Sequence, residues 1–268
     1  MTKVNFRRLP SITHQDVILP AGVLERVERH TIGFARHRVT LLEAGHHLKR
    51  GLLLHGPPGT GKTLTALYLA SQMHDRTILI MTGAGMGLIQ RACTMARLLQ
   101  PAMVIMEDVD LVAEERTVNE CGSLLFELLN EMDGLQDDAD VIFLLTSNRP
   151  DLLEPALADR PGRIDQAVEI PLPDASCRRR LIDLYSRRLV LQAVDLDALV
   201  DQTEGVSAAF IRELLRKATL LALEEHGKAV VEQRHLEEGL HDLTVAGGDV
   251  TRSLLGARHE EDAALSEV

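Results

Sequence analysis

Apolar residues fall in short runs separated by amphipathic stretches over roughly residues 51–170. Gly51–His55, Thr77–Met81, Met103–Met106, Val141–Thr146 and Gln166–Ile170 have the length and continuity of buried strands. Thr63–Met73, Leu88–Leu99 and Leu124–Met132 lie between them and repeat their apolar positions at helical spacing. Strands alternating with helices predict an α/β module whose parallel sheet is covered on both faces. Beyond Pro171-Leu172-Pro173-Asp174 the rhythm changes. Cys177–Leu189, Leu196–Gln202, Ser207–Glu225 and Glu232–Leu243 all read as helices, and no strand is predicted there. Ser207 stands at an N-cap position and Gly227 just past the end of its helix. Residues 247–268 mix Gly, Ser, Ala and charges without periodicity and read as a flexible acidic tail.

Composition narrows the functional classes. The chain has 268 residues with 45% hydrophobic positions, enough for a core. Its net charge of −11 argues against non-specific nucleic-acid binding. Three widely spaced cysteines, Cys93, Cys121 and Cys177, suit reduced thiols rather than a disulfide framework. No run approaches the ~20 apolar residues of a membrane span, and the N-terminus lacks the apolar core of a secretory signal. A cytoplasmic protein with no membrane partner is the expectation.

The strongest chemical signal is Gly56-Pro57-Pro58-Gly59-Thr60-Gly61-Lys62-Thr63, followed by Leu64, between a strand and a helix. Glycines let backbone N–H groups curl around phosphate oxygens, and the helix N-terminus adds partial positive charge. A lysine at position 62 can reach the β and γ phosphates, and the Thr63 hydroxyl can ligate Mg²⁺. Such a loop needs carboxylates on a neighbouring strand. Met103-Val104-Ile105-Met106-Glu107-Asp108-Val109-Asp110 supplies them at a strand end.

These two motifs, with Thr146-Ser147-Asn148-Arg149-Pro150-Asp151 and the segment Glu154-Pro155-Ala156-Leu157-Ala158-Asp159-Arg160-Pro161-Gly162-Arg163-Ile164-Asp165, make the chain resemble the AAA ATPases over roughly residues 16–243. The resemblance implies a P-loop three-layer α/β sandwich (21–171) after an N-terminal linker (1–20), then a small all-α lid (172–246). ATP and Mg²⁺ are the implied cofactors. Glu107 falls at the metal-side acid, beside Thr63, and Asp108 at the acid that polarises the attacking water. The family's usual order is Asp then Glu, so the pair is inverted, and slow hydrolysis is expected. Asn148 matches the first sensor of the γ-phosphate. Arg163 matches the arginine finger that completes a neighbouring subunit's site, which implies a homo-oligomer, typically a ring of six. Arg160 is a candidate helper, and Gln166 stands where some relatives place a second finger. Asp16, Val17, Ile18, Leu181, Tyr185, Ala208 and Ala209 match the base pocket.

One departure bears on function. Relatives that thread polypeptides carry an aromatic–apolar–Gly loop where this chain has Thr82-Gly83-Ala84-Gly85-Met86-Gly87-Leu88. Without an aromatic wedge, and with only Met86 and Leu88 as bulky candidates, the sequence does not support peptide threading. Arg178-Arg179-Arg180 reads as a solvated helix face, and His235 and His241 do not form the His-Glu-x-x-His pattern of the AAA zinc proteases. The function expected is an oligomeric ATP-hydrolysing remodelling motor acting on a macromolecular client, with no specific nucleic acid. The alternative is a nucleotide-gated assembly module with little hydrolysis.

Overall fold

The computed structural model describes residues 5–82, 88–110, 123–134, 139–153 and 163–246. The expectations for Gly83–Gly87, Arg160, Cys121 and the tail 247–268 lie outside the described residues. The chain divides into two compact units. The first comprises residues 1–17, 22–56 and 62–170; the second comprises 18–21, 57–61 and the chain from 171 onward. The division therefore runs through the glycine-rich loop.

The first unit is built on a five-stranded sheet. Its strands are β1 (Arg50–His55), β2 (Thr77–Met81), β3 (Ala102–Met106), β4 (Val141–Ser147) and β5 (Gln166–Glu169), in the order β2-β3-β4-β1-β5. Every pairing in it is parallel. β3 and β4 are buried at every position, which is why they read as unbroken apolar runs. Helices Lys62–Gln72, Ile89–Leu98 and Ser123–Asp133 connect the strands. Cys93 and Ala96 from the second of these, and Leu128, Leu129 and Met132 from the third, bury against Val104, Met106, Phe143 and Leu145. Parallel connections carry β1, β3 and β4 out at the same sheet edge, where ligands of open α/β sheets bind.

Helical turns over Val23–Glu43 precede β1, in a stretch for which the sequence offered no reading. They dock on the helix Lys62–Gln72. The Tyr68 hydroxyl donates to the Glu28 carboxylate, and Ser71 and Gln72 both donate to the Ile12 carbonyl.

The second unit holds helices Ala175–Ser186, Leu196–Gln202, Ala208–His226 and Gln233–His241. Asp174 caps the first by accepting from Cys177 N at 2.7 Å, and Ser207 caps the third by accepting from Phe210 N at 3.2 Å. Gly227 closes that third helix in the left-handed conformation. Two short strands, β6 (Val190–Gln192) and β7 (Val230–Glu232), form a parallel ladder that the helical spacing did not predict. Three residues are too few for an alternation to register. Arg178 departs from the solvated face expected of it. It is buried, and its guanidinium donates to the carbonyls of Pro173 and Val200.

No helix among the described residues is long and apolar enough to cross a membrane.

Candidate functional site

β1 ends at His55, and Gly56 turns the chain into the loop. Lys62, the first residue of the following helix, folds its side chain inward: it is 5% exposed and its Nζ donates to the Gly56 carbonyl at 2.7 Å. Burial lowers the Lys62 pKa to about 8, against the opposing pull of Asp108 and Asp110. A loop holding its own lysine on a backbone carbonyl presents that cation to any anion that replaces the carbonyl.

The strand β3 delivers Glu107 and Asp108 beside it. Glu107 N donates to the Met81 carbonyl, Asp108 N to the Thr146 hydroxyl and Val109 N to the Thr146 carbonyl. These bonds fix the strand end against β2 and β4. Burial raises the Glu107 pKa, a hydrogen bond from the Thr63 side chain opposes that shift, and Asp108 adds to it. The buried Glu107 Oε1 has no hydrogen-bond partner. Hydroxyl and carboxylate oxygens are the hard donors that Mg²⁺ selects, so Thr63 and Glu107 fit the expected metal.

Asp108 is one of two described non-glycine residues with positive φ, at 52°. Aspartate tolerates this left-handed conformation better than most residues. Its carboxylate accepts from the Asn148 side-chain amide at 3.3 Å. Asn148 follows β4, and its backbone N–H donates to Asp110 at 3.1 Å. Lys62, Thr63, Glu107, Asp108 and Asn148 thus converge at one end of three adjacent strands. Sequence reasoning assigned no role to Asp110 or Thr146. Asp110 is 4% exposed and holds the Asn148 backbone. A third acid two positions after Asp108 was the available signal.

Arg163 stands apart from that group, in the approach to β5. It is half-buried, and its Nη1 atom is closed off from solvent. Asp165 N donates to the Gly51 carbonyl at 2.9 Å, and Gly51 N donates to Asp165 Oδ2 at 2.8 Å. Gln166 uses its amide locally, on the Ala167 carbonyl.

In the second unit, Gly59 has φ +74°, and a Cβ there would meet Ser207 Oγ at 2.7 Å and Ala209 Cβ at 2.8 Å. The Ala209 N–H donates to the Gly59 carbonyl at 3.1 Å. Only glycine fits this approach. Thr60 is buried, with its hydroxyl on the Pro57 carbonyl; Pro58 is exposed, and Gly61 has φ +106°. Ile18, Leu181 and Ala208 share one apolar cluster, with Tyr185 packed against it. Asp16 and Val17 belong to the first unit. Val17 is buried, and an Asp16 oxygen accepts from the Thr13 N–H and hydroxyl. Leu64 is exposed on the loop helix.

A second cluster of potential metal ligands, Glu225, His226 and His235, lies at a helix end in the second unit. The Glu232 N–H donates to His235 Nδ1, so the ring hydrogen sits on Nε2 and points at Glu225, 2.8 Å away. Arg234 already bridges Glu225 and Glu232. His235 in this tautomer offers no lone pair to a metal.

The model for the ATPase family associated with various cellular activities (AAA) matches residues 52–172, and that for the AAA+ lid domain matches residues 193–238. The chain is 31% identical to a proteasome-activating nucleotidase of Pyrococcus horikoshii, over 85% of the chain and 60% of the relative. It is 33% identical to the ATP-dependent zinc metalloprotease FtsH 3 of Sphaerobacter thermophilus, over 96% of the chain and 55% of the relative. It is 32% identical to the human ATPase family gene 2 protein homolog A, over 88% and 28% respectively. The chain thus spans at most about 60% of the length of these relatives. With the P-loop, the acids of β3 and both domain matches in register, the chain belongs to the AAA family of ATPases.

Proposed function

We propose that this chain binds Mg-ATP and hydrolyses it as one protomer of an oligomeric motor that acts on a macromolecular client. One observation carries the reading: Lys62, Thr63, Glu107, Asp108 and Asn148 gather at the end of β1, β3 and β4, with a buried lysine and an unsatisfied carboxylate oxygen among them. Backbone N–H groups of residues 56–63 and Lys62 would hold the phosphates. Thr63 and Glu107 would hold Mg²⁺, which would neutralise phosphate charge there. Asp108 would take the proton from a water molecule that Asn148 helps to place, since the two side chains are already hydrogen-bonded. Within the second unit, Ile18, Leu181, Tyr185, Ala208 and Ala209 would take part in base recognition. Arg163 would reach the nucleotide of an adjacent protomer, where it opposes the charge developing on the transferred group. A hexameric ring and a protein client are the finer reading that the family relationship supports; the relatives' names include a proteasome-activating nucleotidase and a protease.

The test is phosphate release by the purified protein and by Lys62→Ala, with light scattering in the presence and absence of ATP. Turnover lost in Lys62→Ala, with assembly promoted by ATP, supports the reading. Equal rates in both proteins sink it.

The inverted acid pair favours a second reading, a nucleotide-gated assembly module. Asp108 is a methylene shorter than glutamate and is held back by Asn148. This reading expects ATP-driven assembly with negligible phosphate release, so brisk hydrolysis abolished by Arg163→Ala eliminates it.

A further inference from the structure

The backbone beside Arg163 is held in part by residues outside its own segment. Gly51 and Asp165 exchange two hydrogen bonds, at 2.9 and 2.8 Å, directly beside Arg163. The Arg50 guanidinium lies over this pair, its Nε 4.0 Å from Asp165 Oδ2. Arg50 is itself gripped from the other side. Its Nη2 donates to His30 Nδ1 at 2.7 Å, and its Cζ sits 5.2 Å from the centre of the Phe34 ring. Burial and the Arg50 charge both lower the His30 pKa, so the ring is a neutral acceptor. Arg50 and Asp165 side chains are only 20% and 18% exposed, which strengthens their attraction over that of a surface pair.

We propose that Arg50, clamped between Phe34 and Asp165, is a positioning residue for Arg163, so that the helical turns preceding β1 set the aim of the guanidinium offered to a neighbouring protomer. The inference rests on the reading of Arg163 as a residue that works in the adjacent site. Arg50 acts through Asp165: one oxygen of that carboxylate takes both the Gly51 N–H and the Arg50 charge. Removing Arg50 releases one side of this oxygen and lets the Arg163 backbone drift, and ~1 Å of drift in a group that stabilises a transition state is worth about 100-fold in rate.

Mixing experiments separate this role from a fold defect. Lys62→Ala has a dead site but a sound Arg163; Arg163→Ala has a sound site but no guanidinium. Co-expressed, these two recover part of the wild-type turnover if sites are shared. Arg50→Met alone should keep its ATP KM and lose at least ~10-fold in kcat. Co-expression with Lys62→Ala should restore turnover, whereas co-expression with Arg163→Ala should not. Phe34→Leu, which keeps the charge and removes the ring, should show the same pattern at smaller amplitude and serves if Arg50→Met does not fold.

Wild-type kcat in Arg50→Met or Phe34→Leu overturns the proposal. So does a pair, Arg50→Met with Lys62→Ala, that stays inactive while Arg163→Ala with Lys62→Ala recovers. If that last pair also stays inactive, the shared-site reading fails first, and this inference fails with it.

Discussion

Gly51→Ala probes the tightest backbone approach in the first unit. A Cβ at residue 51 would lie 2.0 Å from the Arg163 carbonyl oxygen and 3.0 Å from both the Arg163 carbonyl carbon and Met132 Cε. Ordinary contact needs about 3.4 Å, so the Arg163 carbonyl must retreat by roughly 1.4 Å or β1 must shift. The Met132 methyl can swing aside, but a backbone carbonyl two residues from the Gly51–Asp165 hydrogen bonds has less room to move. Overpacking of this kind costs about 1–3 kcal/mol. Straining the two Gly51–Asp165 hydrogen bonds adds about 1 kcal/mol each if they break. Alanine restricts the unfolded chain and offsets about 0.4–1 kcal/mol. With both bonds broken, the net expectation is a loss of about 2–5 kcal/mol, seen as a melting temperature lower by roughly 4–20 °C. Turnover should fall further than stability implies, by about 100-fold, because the displaced backbone belongs to Arg163. Differential scanning calorimetry and phosphate release at a temperature where both proteins are folded give the two numbers. A variant as stable and active as wild type would refute the close approach.

Three further outcomes are expected. Asp140→Ala removes the partner of Arg76, whose side chain is fully buried 2.6 Å from the carboxylate, and should cost about 3–5 kcal/mol in denaturant unfolding; a loss under about 1 kcal/mol would mean that the pair is not a buried charge partnership. Ser207→Ala deletes the acceptor for Phe210 N and should lower stability by about 1 kcal/mol, with Ser207→Asp restoring it. Nucleotide affinity should be flat up to pH 8, the value to which burial lowers the free Lys62, and weaken above it. Bound phosphates favour the charged form, so binding above that pH takes up a proton, and affinity drops by about tenfold per pH unit. Calorimetric titration in buffers of different ionisation heat measures this uptake, and a flat profile to pH 9.5 contradicts it.

The sheet and the phosphate loop were legible because their signals are dense. β3 and β4 are buried throughout, so their apolar runs are continuous, and the loop's glycines stand at spacings that few other structures need. Helix limits such as Ser207 and Gly227 were readable for the same reason: each cap demands a particular side chain. What stayed hidden depends on distant partners. Arg178 sits in a run of three arginines, and only the carbonyls of Pro173 and Val200 reveal that it faces inward. Asp110 and Thr146 brace the site through backbone bonds that no spacing encodes. The parallel ladder of β6 and β7 joins segments 40 residues apart and leaves no local trace.

The bend at Asp108 gives the reversed acid order a conformational meaning. A residue at φ 52° is strained unless its side chain is small and polar enough to settle there, and aspartate meets that condition where glutamate does not. Restoring the customary order by Glu107→Asp with Asp108→Glu would therefore lengthen the water-side arm while forcing a poorly suited residue into a left-handed turn. Chemistry and backbone preference pull in opposite directions at this single position, so reach at residue 108 can be gained only by rebuilding the corner that carries it.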